Sequence, residues 1–364
     1  MSASVTTEAA RRGLTLAPPP RWLIGWWTLG RVVAVGTALA IKPTVWTLDR
    51  WDGHWYGMVA RGGYLLVPGR QSDPAFFPLY PILLRAVHAL GVGWGLAGPL
   101  LSNLALLLGL GLFYALSREL FSEPLARRAT TYLAIFPLSY VFSMSYPESV
   151  VLVLLCAAPL AALRRRWWLA AACAGAAALA RPEGLFLVFP LAAIAWQQRQ
   201  TLTPVRRGAA LAAVLAPAAA LVSYSVYLDS ALHDPFAWSR AEHAWGRQFR
   251  ISGAFRAFEH LPSAVSHSPW LVRDVVCFFG YLGLLYAARR MGVPRSWLAA
   301  GAAIVILPVF TGAFDSIGRF GLLAPPLFWG LAALTKDART DRLARAISLV
   351  LLVLGTLSLV YVFP

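Results

Sequence analysis

Acidic residues are scarce in this chain. It has 16 Asp and Glu against 32 Lys and Arg, for a net charge of +16 over 364 residues. Charge of either sign is thin: 13% of residues, where soluble globular chains carry about a quarter. Lysine is confined to Lys42 and Lys336, an arginine bias that hints at a GC-rich bacterial genome. Only three cysteines occur, Cys156, Cys173 and Cys277, all inside apolar runs and without metal-ligand spacing. They are expected to pack between helices and to form neither a metal site nor a disulfide. No GxxxxGK[ST] loop and no strand followed by GxGxxG is present, so a soluble nucleotide-binding domain is not expected. Period-two alternation is also missing, which excludes a β-barrel.

What the chain has in abundance is apolar residues, 59% of the total. They come in runs approaching the roughly 20 residues needed to cross a bilayer. Helices are the economical solution there, because lipid satisfies no backbone polar group. Coarse spans fall at 22–45, 96–116, 129–145, 149–163, 167–181, 184–197, 208–228, 269–288, 296–313, 320–334 and 346–363. The expected fold is an all-α polytopic membrane protein with about 11 transmembrane helices, as one membrane domain over 22–364 behind a tail at 1–21. The first apolar run has no clean small-residue cleavage site after it and is expected to be a retained helix.

The arginines report the topology. Counting the N-terminus as the first gap, the odd-numbered gaps hold 19 of the 32 Lys and Arg. Arg127-Arg128, Arg164-Arg165-Arg166, Arg206-Arg207 and Arg289-Arg290 are among them. By the positive-inside rule the N-terminus is cytoplasmic. The basic excess therefore marks topology and contacts with anionic membrane lipid, and no nucleic-acid partner is expected. About 11 of the 16 acids fall on the opposite side: Asp49, Asp52, Asp73, Glu148, Glu183, Asp229, Asp234, Glu242, Glu259, Asp274 and Asp315. Two long outer loops, 46–95 and 229–268, lie there too, and ordered loops of that length are usually functional.

Candidate chemistry concentrates in those stretches. The first loop opens with Asp49-Arg50-Trp51-Asp52-Gly53-His54-Trp55-Tyr56. Trp51, Trp55 and Met58 share a helical face, as in an interfacial helix with aromatic anchors. Asp52 would lie at the membrane surface. The plain structural alternative makes Asp49 the N-cap and Asp52 a first-turn acid. Phe76-Phe77-Pro78-Leu79-Tyr80-Pro81 follows, which also fits a simple re-entry into the membrane. Glu148, Arg181 with Glu183, and Asp315 with Arg319 lie where short apolar spans meet, and ionisable groups beside hydrocarbon are functional hypotheses by default. Arg181 and Glu183 can equally just neutralise each other. In the second loop Arg240, Glu242, His243, Trp245 and Arg247 mix bases with aromatics. That suits a phosphate beside a sugar ring, or an ordinary interfacial helix.

Arg50-Trp51-Asp52-Gly53-His54-Trp55-Tyr56, then Gly63-Tyr64, then Phe76 to Pro81 together resemble the opening of the PIG-V family of mannosyltransferases and its bacterial relatives. Tyr146-Pro147-Glu148-Ser149 is similar to that family's Tyr-Thr-Glu-Ser stretch, with Pro147 in place of Thr. Arg181-Pro182-Glu183-Gly184 resembles its Arg-x-x-Gly, and Gly318-Arg319-Phe320 through Pro325 its late Arg-Tyr…Pro segment, with Phe320 in place of Tyr. The resemblance implies a GT-C-type glycosyltransferase fold with interfacial helices in its outer loops. It implies mannose transfer from a polyprenyl-phosphate-mannose donor to a glycan or glycolipid acceptor, on the outer face of a cell membrane, bacterial on the arginine bias. Asp52 matches the family's first-loop aspartate and is the expected catalytic base. The expected substrate-binding residues are Asp49, Arg50, Trp51, His54, Trp55, Tyr80, Glu148, Arg181, Glu183, His243, Arg247 and Arg319. No metal and no cofactor beyond the lipid-linked donor is expected. Alternatives are the same fold with another polyprenyl-phosphate sugar, a transporter or flippase of lipid-linked saccharide, or a noncatalytic subunit that binds a mannolipid. A transporter should show internal repeats and ionisable groups near the midplane, and neither is evident.

Overall fold

A computed structural model describes residues 18–268 and 271–361; most of the tail at 1–21 lies outside them. The described residues contain helices and no strand. The chain is all-α. Five helices are long and apolar enough to cross a membrane: α1 (Arg21–Ile41), α4 (Trp94–Leu120), α9 (Pro204–Leu232), α13 (Leu271–Arg290) and α17 (Ala338–Tyr361). Between them come shorter helices: α2 (Asp52–Gly62), α3 (Leu79–Ala89), α5 (Glu123–Ile135), α6 (Glu148–Leu163), α7 (Trp167–Ala180) and α8 (Val188–Gln198). The second long loop folds into α10 (Ala237–Ala244), α11 (Gly253–Glu259) and α12 (Leu261–His267). After α13 come α14 (Arg295–Ile306), α15 (Ile317–Phe320) and α16 (Pro325–Leu334).

Helices of full spanning length therefore number fewer than the 11 crossings expected from hydropathy, and proline accounts for much of the difference. The residue before a proline is pushed out of the helical region. The run 129–145 is α5, which ends just before Pro137, followed by a 3₁₀ turn at Ser139–Ser143. The run 184–197 begins as the 3₁₀ turn Pro182–Leu187. The run 296–313 becomes α14 and the 3₁₀ turn Leu307–Thr311, with Pro308 inside it. The run 320–334 is bent by 86° between α15 with its following turn and α16, at Pro325-Pro326. Irregular backbone at membrane depth is tolerated where it is buried in protein or lines a cavity. Three of these breaks contribute residues to one cavity, through Pro182, Pro308 and Phe320.

One buried arginine shows how a break is satisfied. Arg31, in the middle of α1, donates to the carbonyls of Ser139 (2.8 Å) and Ala134 (3.1 Å) and to the hydroxyls of Ser143 (2.7 Å) and Ser139 (3.0 Å). These include groups freed where α5 stops, and leaving them unpaired in lipid would cost several kcal/mol each. Alanine-rich α7 packs on α9, with Gly175 facing Ala216 and Ala220, while Ala177 lies against Gly184. Cys156 is buried and Cys173 and Cys277 are partly buried, all three as free thiols.

The basic runs and the candidate site use different parts of the chain. Arg164, Arg165 and Arg166 lie at the junction of α6 and α7, Arg206 and Arg207 in the first turn of α9, Arg289 and Arg290 in the last turn of α13, and Arg127 and Arg128 within α5. The candidate site draws instead on α2, α10, α15 and the 3₁₀ turns at Asp73–Ala75, Pro182–Leu187 and Leu307–Thr311.

Candidate active site

Asp52 is the first residue of α2, and Trp51 is the N-cap, held at φ 56°. Asp49 is not the cap; it closes the preceding 3₁₀ turn, Val45–Leu48. That turn is tied across the bundle, because the Ser145 N–H donates to the Leu48 carbonyl at 2.8 Å. Residues 145–148 thereby come beside the start of α2. The approach leaves no room for a side chain on α4 at Gly98: a Cβ there would lie 2.1 Å from the Ser145 hydroxyl. Ser102 donates to the Tyr146 carbonyl at 3.0 Å and shares a 2.9 Å hydrogen bond with Tyr80. The backbone N–H of Asp52 donates to the Tyr146 hydroxyl at 3.4 Å.

Arg319 arrives from the far end of the chain. Gly318 beside it is gripped by α13: its N–H donates to Asp274 Oδ1 at 2.8 Å, and its carbonyl accepts from the Tyr281 hydroxyl at 2.6 Å. So fixed, Arg319 Nη1 donates to Asp52 Oδ2 at 2.5 Å and lies 3.7 Å from Glu148 Oε1. Its guanidinium also lies over the rings of Tyr146 (5.2 Å) and Phe320 (5.6 Å). Arg181, between α7 and the 3₁₀ turn at 182–187, donates to Glu148 at 2.8 Å and grips both oxygens of Glu183 at 2.9 Å. Glu148, the first residue of α6, has no solvent exposure. Arg247 donates to the Ser316 hydroxyl at 3.2 Å and pairs loosely with Glu242 at 3.9 Å. Burial is affordable for these charges because each is paired.

A cavity of about 210 Å³ opens among them. Asp52, Glu183, Glu242, Asp315, Arg181, Arg247 and Arg319 line it, with Tyr56, Phe76, Phe77, Trp245 and Phe320 as the aromatic part. Trp55 stacks on Phe76 at 5.7 Å, and Trp245 meets both edge-on. Burial works to raise the Asp52 pKa. The charge and hydrogen bond of Arg319, joined by Arg247 and Arg181, outweigh it and hold the carboxyl below its ordinary value. Glu242 is the reverse case: burial raises it further than Arg247 and Arg181 lower it. Among the described residues, no three His, Cys, Asp or Glu groups converge to hold a metal ion.

Of the expected residues, Asp52, Arg181, Glu183, Arg247 and Arg319 line the cavity, and Glu148 lies directly behind them. The others do not reach it. Asp49, Arg50 and Trp51 precede α2, with Arg50 over the Trp51 ring at 5.5 Å. His54 is exposed, since two residues on a helix is a turn of about 200° away from Asp52. Trp55 stands one ring back, behind Phe76. Tyr80 is fully buried against Ser102 as core. His243 faces out from α10. Lining residues missing from the expected set include Tyr56, Glu242, Trp245 and Asp315. Tyr56 had a signal, since it stands four residues from Asp52 on the same helical face. Pro308 and Thr311 also line the cavity and had no signal in the sequence.

No family model matches the chain, and no curated protein matches it by sequence. Among solved structures, it resembles the oligosaccharyltransferase of Archaeoglobus fulgidus in a crystal structure with zinc and sulfate, at 14% identity, TM-score 0.49, 93% of this chain and 53% of that one. The same archaeal enzyme, AglB, in complex with an inhibitory peptide and a dolichol-phosphate gives 14% identity, TM-score 0.48, 93% and 55%. The chain spans about half the length of those structures.

Proposed function

We propose that the chain is a GT-C-type membrane glycosyltransferase. It transfers mannose from polyprenyl-phosphate-mannose to a lipid-linked glycan or other envelope acceptor, on the outer face of what the arginine bias suggests is a bacterial membrane. One observation carries this: an ionised aspartate and three arginines from separate parts of the chain converge on one aromatic-lined cavity, Asp52 with Arg319, Arg181 and Arg247. Guanidiniums suit phosphate oxygens by charge and fork geometry, and the rings of Phe76 and Trp245 suit a sugar face.

In this reaction the acceptor hydroxyl oxygen attacks the anomeric carbon. The bond from that carbon to the phosphate oxygen breaks, and its electron pair leaves with polyprenyl phosphate. The hydroxyl proton passes to Asp52, kept deprotonated by Arg319. Positive charge fixed before the reaction stabilises the departing phosphate without reorganisation. One displacement inverts the anomeric centre, so a β-linked donor yields an α-linked product. Asp52→Asn is expected to insert normally and lose at least about 10²-fold in transfer rate. The assay is purified protein with radiolabelled polyprenyl-phosphate-mannose and membrane extract. Full activity of Asp52→Asn removes Asp52 as base. A label accepted only from another polyprenyl-phosphate sugar changes the donor and leaves the class intact. Label that crosses the membrane unchanged, with no product formed, would favour transport.

A further inference from the structure

Apart from the cavity, the segment that contains α11 has an unusual division of faces. Its small residues point inward. Gly253 lies against Phe310 so closely that a Cβ would be 1.9 Å from the Phe310 carbonyl oxygen, and Ala257 is buried. The Arg250 N–H donates to that same carbonyl at 3.0 Å. Two large apolar residues point the other way, Ile251 at 86% exposed and Phe255 at 80%; Phe249, stacked on Phe310, and Phe258, edge-on to Phe314, flank them with their outer parts exposed. Left in water, such a cluster loses the favourable burial of its apolar area, and patches of this kind mark a contact surface.

The neighbouring span identifies the contact. Phe258 meets Phe279 of α13 at 6.5 Å. Phe279 belongs with Val272, Val276 and Tyr286 to the exposed strip of a helix long enough to span. It stands eight residues into α13, about 12 Å from its first residue at 1.5 Å per residue. At that level the exposed face of a spanning helix meets hydrocarbon, and the apolar face of 249–258 continues the strip. Arg250 and Arg256 lie within the same segment, where long basic side chains can reach up to lipid phosphates.

We infer that residues 249–258 insert into the outer part of the bilayer, with phospholipid acyl chains around Ile251 and Phe255. The insertion bears on the site through backbone. Phe310, which takes both inward contacts, lies between Pro308 and Thr311, and these line the cavity. Lipid that holds the segment down thus also holds one wall of the cavity. None of this depends on the chemistry proposed above.

The test is a fluorescence accessibility measurement on full-length protein in phosphatidylcholine vesicles. Cys173 and Cys277 are changed to Ala, buried Cys156 is kept, and an environment-sensitive label is placed at Phe255→Cys, Ile251→Cys or, as an aqueous control, Gln71→Cys. Labels at 255 and 251 are expected to be quenched by lipids carrying a nitroxide on the acyl chain, and at least about threefold less than the control by aqueous iodide. Phe255→Asp, a surface change that leaves the inward face intact, is expected to raise iodide quenching at 251. Iodide quenching at 255 and 251 equal to that at 71 would overturn the inference, whether the face then meets water or another protein. So would an Ile251 label that does not respond to Phe255→Asp.

Discussion

Arg181 and Glu148 form a buried pair whose two halves should not be equally replaceable. Arg181 makes one charged hydrogen bond to Glu148 at 2.8 Å and two to Glu183 at 2.9 Å. Arg181→Met therefore strands two carboxylates. Glu148 has no exposure and only Arg319 left nearby, at 3.7 Å, while Glu183 keeps no close cation. Breaking a buried pair in this way costs about 3–5 kcal/mol, a large share of the roughly 5–15 kcal/mol that holds a domain folded. Glu148→Gln strands nothing comparable. Arg181 stays neutralised by Glu183, Arg319 stays with Asp52, and the amide oxygen still accepts from Arg181. Its expected cost is that of weakening one charged hydrogen bond, about 1–2 kcal/mol. The assay is the midpoint of thermal aggregation in detergent, followed by size-exclusion of the remaining monodisperse protein, with transfer activity measured in parallel. Arg181→Met should melt well below Glu148→Gln, and Glu148→Gln should stay close to the unaltered protein. Equal midpoints for the two variants, or the reverse order, would refute the charge accounting. If Glu148→Gln keeps its midpoint but loses all transfer while Asp52→Asn stays fully active, Asp52 is not the base.

Three further outcomes are expected. The raised pKa of Glu242 and the lowered pKa of Asp52 separate their effects with pH. As pH falls, Glu242 protonates first and stops offsetting Arg247, so the KM for the phosphodiester donor should fall while kcat holds until Asp52 protonates below the ordinary carboxylate value of about 3.9. Glu242→Gln should show the low KM at every pH, and an unchanged pH dependence of KM in that variant would count against it. Asp274→Ala removes the acceptor that fixes Gly318, and should lower kcat on the order of tenfold, about 1.4 kcal/mol. Asp274→Asn keeps an oxygen in that place and should recover most of the loss, so equal losses in the two variants would show that the hydrogen bond is not what positions Arg319. For orientation, Gln71→Cys should react with a membrane-impermeant thiol reagent on intact cells and Gln200→Cys should not. The opposite labelling pattern would place the cavity in the cytoplasm.

Much of this protein was open to local rules. The length and apolarity of α1, α4, α9, α13 and α17 follow from unbroken runs, because a bilayer imposes a fixed length on any helix that crosses it. The prolines at 137, 182, 308 and 325 mark where other runs break, for a reason confined to two adjacent residues. Arg181, Glu183 and Arg319 stood out because ionisable groups beside hydrocarbon need a reason to be there, and Asp52 because its segment resembles the opening of the PIG-V family. What only the tertiary structure decided is which of them meet. Asp52 and Arg319 are 267 positions apart, and their 2.5 Å contact exists because Ser145 ties to Leu48 while Asp274 and Tyr281 hold Gly318. No local pattern encodes such a meeting. His54 and His243 carry chemistry as promising as any neighbour's, yet helix rotation turns both away from the cavity. Pro308 and Thr311 reach it because broken-helix backbone, free of a fixed period, was folded there by the packing of everything around it.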